Sequence, residues 1–273
     1  MSDPYKLPNG NVQICFSGGR TSGYMLHKIL ERNGPMPDRA KVIFTNTGRE
    51  MNATLDFVAE CAARWDVPIE WLEYKRNGNS NSFHVVNHNQ ASRNGEPFRE
   101  LVLSRKYLPN VVARYCTAEL KVRTSSRYLK SLGWDTWHNA LGIRADESRR
   151  VNHNQREKWE NWYPLNDAGI SKKDVANFWS RMPFDLRLEN VNGNAPKGNC
   201  DGCFLKSEAT LAAMWREHPD RMQWWADLEA EAGSTFHKSR SYSELGDFVR
   251  NQGDWIFDNE GLLCQANDGE CTG

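Results

Sequence analysis

The sequence predicts an α/β protein: a parallel sheet with helices on both faces, joined to a smaller, mainly helical region that carries cysteines. Three observations predict it. The alternating run Asn11-Val12-Gln13-Ile14-Cys15-Phe16 passes through a glycine-rich junction, Ser17-Gly18-Gly19-Arg20-Thr21-Ser22, into a helical face of Tyr24, Met25, Leu26, Ile29 and Leu30. Lys41–Thr45 and Pro68–Tyr74 read as further strands around a helix from about Asn52 to Trp65, the spacing of right-handed crossovers in a parallel sheet. Beyond Tyr163-Pro164-Leu165 the pattern changes to short helices, so a boundary is expected between a sheet domain over residues 1–165 and a helical region over 166–273.

Each element has a local reason. The first helix stops near Asn33-Gly34-Pro35. Gly18 and Gly19 let the backbone turn tightly and approach a ligand, while the N–H groups of the first helical turn point at an anion. Ser17, Thr21 and Ser22 add hydroxyl donors and Arg20 a charge, so the stretch predicts a phosphate cradle, although an ordinary βα turn would use the same glycines. The second strand ends at the turn Asn46-Thr47-Gly48. Ligands on parallel sheets gather at the carboxyl ends of strands, which predicts one ligand touching both Ser17–Ser22 and Thr45–Glu50. Asn77–Glu96, rich in Asn, Ser, His and Gly, reads as a long loop or lid; His84 and His88 within it have a metal-compatible spacing only on a helix. Helical pattern returns over Pro97–Arg105 and Thr117–Leu132, and Trp134–Ile143 reads as a strand that leads into the charged run Arg144–Arg150. In the later region Ser171-Lys172-Lys173-Asp174 has the form of a helix start, and further helices are expected near Ser207–His218 and Asp220–Ala232.

Charge and cysteine usage exclude several classes. The 273 residues carry 35 Lys+Arg against 35 Asp+Glu, so no overall field draws the chain to nucleic acid or membrane, and only a local basic patch could do so. The first residues lack the apolar core of a signal peptide, and no run approaches the roughly 18 apolar residues of a membrane span, so a soluble, cytoplasmic protein is expected. In that reducing setting the seven cysteines read as buried thiols, metal ligands or nucleophiles rather than a disulfide framework.

Two constellations carry chemistry. Cys200-Asp201-Gly202-Cys203 places two thiolates within reach of one metal or cluster, with Cys116, Cys264 and Cys271 as candidates for the remaining ligands. Cys15 and Cys61 read as small buried hydrophobes. All-thiolate ligation suits an iron–sulfur cluster and zinc equally, and a dithiol redox pair uses the same spacing. Arg144, Arg149 and Arg150 follow a strand end opposite the cradle, where forked guanidinium groups match phosphate or sulfate, and Asp146 or Glu147 could orient them or bind Mg²⁺. Lys121 and Arg123 invite the same reading; a solvated helix face is the alternative.

These segments resemble a known family. Ser17–Ser22 resembles the PP-loop, S-G-G-x-D-S, of the ATP-pyrophosphatase superfamily, and Phe44-Thr45-Asn46-Thr47-Gly48-Arg49-Glu50 resembles the D-T-G strand end of the phosphoadenylylsulfate (PAPS) reductase family. Cys116-Thr117-Ala118-Glu119-Leu120-Lys121 is similar to that family's Cys-x-x-x-(Arg/Leu)-Lys segment. Gly142–Arg149 is similar to the G-x-R-x-x-E-S-x-R block of its ATP-using relatives. The resemblance implies a Rossmann-like, HUP-type sheet that binds an adenine nucleotide, ATP or PAPS. Its phosphates would lie on Ser17, Gly18, Gly19, Arg20, Thr21 and Ser22, with Thr45, Asn46, Thr47, Gly142 and Lys121 around it. Arg144, Arg149 and Mg²⁺ would neutralise charge in the transition state. It also implies a 4Fe-4S cluster, with zinc as the alternative, on Cys116, Cys200, Cys203 and Cys264.

The favoured chemistry is cleavage of ATP between its α- and β-phosphates to activate a nucleic-acid or small-molecule acceptor for sulfur transfer. A second version is a sulfonucleotide reductase with Cys271 as nucleophile, and a third is a nucleotide-binding subunit of a nucleic-acid-modifying complex. Thr21 stands where the PP-loop has Asp, Cys116 stands where adenylylsulfate reductases have paired cysteines, and Glu270-Cys271-Thr272-Gly273 lacks the histidine of the reductase tail it resembles.

Overall fold

Strand β1 (Val12–Cys15) lies at the middle of a six-stranded sheet because its residues are buried on both faces. The computed structural model describes residues 3–152, 156–191 and 193–252. After β1 come α1 (Arg20–Asn33), β2 (Ala40–Asn46), α2 (Asn52–Arg64), β3 (Ile69–Asn77), β4 (Ser80–Val86) and α3 (Glu96–Arg105). A π-helical segment, Thr117–Arg123, runs into α4 (Thr124–Ser131), followed by β5 (Trp137–Ala140), a 3-10 turn over Ala145–Arg150 and β6 (Trp159–Trp162). The later helices are α5 (Pro164–Asp167), α6 (Lys172–Trp179), α7 (Glu208–Glu217), α8 (Pro219–Ala232) and α9 (Tyr242–Gln252). The expected α/β class is therefore observed, with a Rossmann-like sheet and a helical C-terminal region.

Strand order is β4-β3-β2-β1-β5-β6, parallel throughout except for the β3–β4 pair. The chain moves outward from β1 to β2 on one side and later to β5 on the other. Its order reverses at β1/β5, the position where open α/β sheets leave a crevice beyond their carboxyl ends. The glycine-rich junction follows β1 and Gly142 follows β5, so both meet at that crevice.

The alternation of the strands decides the layers. Val12 and Ile14 face the core shared with Met25, Leu26 and Ile29 of α1 and Leu55 and Val58 of α2. On the opposite face, α4 covers only part of the sheet, packing Tyr128 and Leu129 against Ile43, Leu72 and Trp137. A third cluster joins α3 and the π-helical segment to α7, α8 and α9, with Phe98, Leu120, Trp215 and Trp225 among its members.

Three sequence expectations change. Asn77–Glu96 is not one long loop: the chain turns at Gly78, whose φ is +58°, and β4 returns antiparallel along β3 with Tyr74 opposite Phe83. The polar composition suits an edge strand that is half exposed, which is why it reads as a loop in one dimension. His84 lies in β4, whereas His88 lies beyond it with its ring nitrogen 2.8 Å from Asp56, so the pair does not form a metal site. The packing also ignores residue 165. Val175 and Trp179 of α6 complete the core on α1, and the Trp179 indole N–H donates to the Arg20 carbonyl at 2.7 Å. Strand β6 and helix α9 appear where no strand or helix was anticipated. Among the described residues no helix is long and apolar enough to cross a membrane.

The helical region is held to the sheet by a buried ion pair. Asp201 is fully buried and Arg49 is 3% exposed; the guanidinium grips both carboxylate oxygens at 3.2 and 2.6 Å. Trp225 Nε1 and the Gly202 N–H donate to the same carboxylate, at 2.6 and 2.8 Å, and Arg221 adds a further charge. A Cβ on Gly202 would sit 2.3 Å from the Trp225 ring, so the turn tolerates only glycine. Removing one partner leaves the other charged in a dry site. Asp201→Ala is expected to cost about 3 kcal/mol or more and to lower the melting temperature by roughly 10 °C. Arg99→Ala, at the exposed Arg99–Glu231 pair, is the control, with an expected effect below about 1 kcal/mol. Thermal melts of both variants check this, and equal stability of Asp201→Ala and wild type would contradict it.

Candidate functional site

The junction after β1 takes a conformation that only its glycine allows. Gly18 has φ +78°, and a Cβ there would lie 2.7 Å from Thr54 Cγ2. Gly19 then caps α1 in extended conformation without a side-chain cap, which leaves the first-turn N–H groups available to an anion. Ser22 braces the turn: its hydroxyl donates to the Gly19 carbonyl and accepts from the Ser17 N–H, and the Ser17 hydroxyl lies 3.0 Å away.

The expected cradle residues divide into two groups. Ser17 and Ser22 border a large cleft of about 970 Å³, together with Thr45, Gly142, Lys121 and Arg149 from the other predicted segments. Gly18, Gly19, Arg20 and Thr21 border instead a cavity of about 20 Å³ against Leu186, Gly193, Ala195 and Asn199. The Arg20 side chain is turned toward this region: Nε and Nη2 bind the Asp185 carboxylate at 2.8 Å each, and Nη2 also reaches the Leu186 carbonyl. Arg20 thus ties the junction to residues 185–188 rather than offering its charge to the large cleft.

Two other expected ligand contacts are corrected. Asn46 is fully buried and uses its side chain inside the protein: Nδ2 donates to Glu73 and to the Ser92 carbonyl, and Oδ1 accepts from the Gly48 N–H. Thr47 donates its N–H and hydroxyl to Glu50 Oε2, both at 2.9 Å, and its hydroxyl sits 3.3 Å from the Cys200 sulfur. These two residues shape the β2 end and do not line the cleft.

Arg144 is also reassigned. It is 3% exposed, donates from Nε to Asp146 at 3.0 Å, lies 3.3 Å from Glu147, and reaches Thr21 Oγ1 at 3.2 Å. Asp146 and Glu147, close behind it in sequence, bracket its charge. Arg144 joins the β5 end to the junction, and of the two roles expected for Asp146 and Glu147, orienting the arginines or binding Mg²⁺, the pairing matches the first. Arg150, ion-paired to Glu147, and the exposed Arg149 border the cleft.

The cleft is cationic in a chain of zero net charge. Among the described residues seven Lys or Arg side chains line it against a single carboxylate, Glu157. Lys121, Arg149, Arg150 and Arg114 account for four; Arg123, Arg127 and Lys130 form a stripe along the π-helical segment and α4. The sequence reading missed Arg114, Arg127 and Lys130, although residues 123, 127 and 130 recur at helical spacing and so carried a signal.

Glu119 organises this wall. It is 1% exposed and accepts from Arg105, Arg123 and Arg127 at 2.5 to 2.8 Å. Burial alone would raise its pKa, but hydrogen bonds and charge from Arg127 and Arg123 outweigh it and hold the carboxyl below the ordinary glutamate value. The i→i+5 winding of residues 117–123 is itself a rare geometry, frequent at functional sites.

The cysteines do not assemble a metal centre among the described residues. Cys200 pairs with the Thr45–Glu50 segment through a β-bridge to Glu50, and burial and the Glu50 carboxylate push its thiol well above the usual value. Cys203 is buried; Cys116 and Cys200 pack against the same helical core. Among the described residues no three or more Cys, His, Asp or Glu form a metal-binding group. The Asp201 carboxylate between the two thiols is committed to Arg49 and Arg221. Cys116, Cys200 and Cys203 alone thus do not supply the donor set of a 4Fe-4S or zinc site, and Cys264 and Cys271 lie outside the described residues.

Residues 11–166 match the family model described as the phosphoadenosine phosphosulfate reductase domain. A curated relative, the uncharacterized nin region protein ORF290 of Escherichia phage lambda, is 30% identical over 203 residues, which is 71% of this chain. The chain spans 66% of that relative's length. Among solved structures, the PAPS reductase of Candida auris in its phosphate complex is 18% identical, with 64% of this chain and 75% of that chain covered and a TM-score of 0.42. The U34-tRNA thiolase NcsA of Methanococcus maripaludis, with its 4Fe-4S cluster, is 13% identical, with coverages of 89% and 82% and a TM-score of 0.42.

A pH test follows from Glu119. A carboxyl whose pKa is depressed by folding adds stability above its unfolded value, about 4.3, and that contribution disappears as pH falls through the folded value. Glu119→Gln is expected to be less stable than wild type by about 2 kcal/mol at pH 7, with the gap closing as pH drops below about 4. Thermal melts across pH 7 to 3 measure it, and a gap independent of pH would contradict it.

Proposed function

The chain belongs to the phosphoadenosine phosphosulfate reductase domain family, and from that premise we propose that it is a PP-loop enzyme that binds an adenine nucleotide in the cationic cleft and splits ATP between its α- and β-phosphates. The observation that carries this reading is the glycine-rich junction opening, at the reversal of strand order, onto a cleft of about 970 Å³ lined by seven cations. A volume near the upper end of the usual range for ligand pockets suits a nucleotide together with an acceptor.

In this reading the phosphates rest on the Ser17 and Ser22 hydroxyls, where the junction meets the cleft. An acceptor group attacks the α-phosphorus, the bridging P–O bond breaks, and pyrophosphate leaves with the bonding electrons. Lys121, Arg149 and Arg150 meet the charge that grows on the leaving oxygens. Arg144 holds the β5 end against Thr21 so that these cations keep their distance from the junction. Mg²⁺ enters bound to ATP, as part of the substrate. The activated acceptor is then open to sulfur.

The test is turnover with ATP, with pyrophosphate as the readout. Wild-type protein is expected to release pyrophosphate, and Lys121→Ala and Arg149→Ala to lower the rate by about 100-fold each while melting like wild type. Sulfite release from PAPS without pyrophosphate release from ATP would replace this reading with the reductase that uses Cys271. Tight nucleotide binding with neither product would make the protein a binding subunit.

A further inference from the structure

The cleft does not end at the junction. Its floor continues back along the face of β1, β5 and β6, which α4 covers only in part, where Tyr128 and Leu129 meet Trp137. Gln13, Asn139 and Asn161 stand side by side there, in register across the three strands. One row nearer the amino ends of the strands, Trp137 and Trp159 are paired in register, with ring centroids 5.2 Å apart and 24° between the planes. At ~3.3 Å per residue, this row lies about 13 Å behind Leu141 and the nucleotide end.

The wall beside this floor carries the cationic stripe. Arg123, Arg127 and Lys130 follow helical spacing, and all three line the cleft. Arg127 gives Nη2 to Glu119, but its Nη1 is buried without an acceptor among the described residues. A buried guanidinium N–H left in this state lacks one hydrogen bond.

Three chemistries therefore meet in one half of the cleft: the half-buried Trp159 indole, backed by the buried Trp137; the amides of Gln13, Asn139 and Asn161, of which Asn139 Oδ1 accepts from Trp137 Nε1 and Asn161 Nδ2 donates to the Tyr163 hydroxyl; and a row of cations. Indoles stack on exposed bases, amides hydrogen-bond to base edges, and the cations match a phosphate backbone. We propose that this half seats a single-stranded nucleic acid as the acceptor substrate. The proposal rests on the nucleotide reading above and names its second substrate class. Stacking on an indole needs an unpaired base, so a single strand fits and a closed duplex does not. The zero net charge of the whole chain sharpens the point, because a cationic row here is not a by-product of a basic protein.

The experiment is fluorescence anisotropy of labelled 12-nucleotide oligothymidylate and oligouridylate with the full chain, in the presence and absence of saturating ATP. Binding is expected with at least one of the two, weakening steeply with salt and persisting with ATP bound. The DNA and RNA arms decide which nucleic acid is preferred. Trp159→Ala and Lys130→Glu are each expected to weaken oligonucleotide binding by about tenfold while ATP affinity, from calorimetry, stays within about twofold of wild type. Lys130 is exposed at the end of α4, so its variant remains informative if Trp159→Ala folds poorly. The proposal is overturned if neither oligonucleotide binds, if ATP displaces it completely, if the two variants bind it like wild type, or if polyglutamate binds equally well. Absence of ATP binding alongside normal oligonucleotide binding would overturn the nucleotide reading alone.

Discussion

Asp201 is the carboxylate on which the arrangement of this site depends. It lies between the two cysteines of Cys200-Asp201-Gly202-Cys203, yet its oxygens face Arg49 at the end of β2, Arg221 and Trp225 on α8. An ion pair this buried contributes little by itself compared with a well-packed apolar substitute. Its effect is to specify position. With Arg49 and Asp201 locked, the Asp201 N–H also bonds to the Arg49 carbonyl at 2.9 Å, and Cys200 is brought beside Thr47. The helical region is thereby set against the carboxyl edge of the sheet, where the cleft opens.

A second ion pair works in the same direction. Arg20 and Asp185 join the glycine-rich junction to residues 185–199, and Arg144 joins it to the β5 end. The junction is therefore held from two sides by arginines that do not line the large cleft. Those that line it, Lys121, Arg149 and the α4 stripe, come from segments that are partly exposed. The molecule separates cations that fix geometry from cations that line the cleft, and Glu119 holds three arginines together beside one wall of it.

Much of the fold was legible in the sequence, because period-2 and period-3.6 patterns report which face of an element is buried. Val12, Ile14 and the apolar face of α1 were readable for that reason. Strand β4 was not, since an edge strand needs apolar residues on only part of one face and its polar composition hid the hairpin signal of the two-residue Gly78-Asn79 loop. In the site, Gly18 was legible because its φ is a local requirement. The orientations of Arg20 and Arg144 were not: Asp185 lies 165 positions from Arg20, and Thr21 lies 123 from Arg144. A sequence shows that an arginine stands at a strand end, but whether it faces ligand or protein is settled by partners that only the fold brings near. The polar residues Gln13, Asn139 and Asn161 left a fainter mark, because β5 and β6 are each half polar in sequence.

The central claim is that the junction end of the cleft is a phosphate site. A crystal structure with an ATP analogue carrying a methylene bridge between its α- and β-phosphorus tests it most directly. The account predicts the phosphate oxygens within hydrogen-bond distance of Ser17 and Ser22, with Lys121 and Arg149 closing on them. Phosphates bound elsewhere on the protein, with Ser17 and Ser22 contacting no ligand, would contradict it.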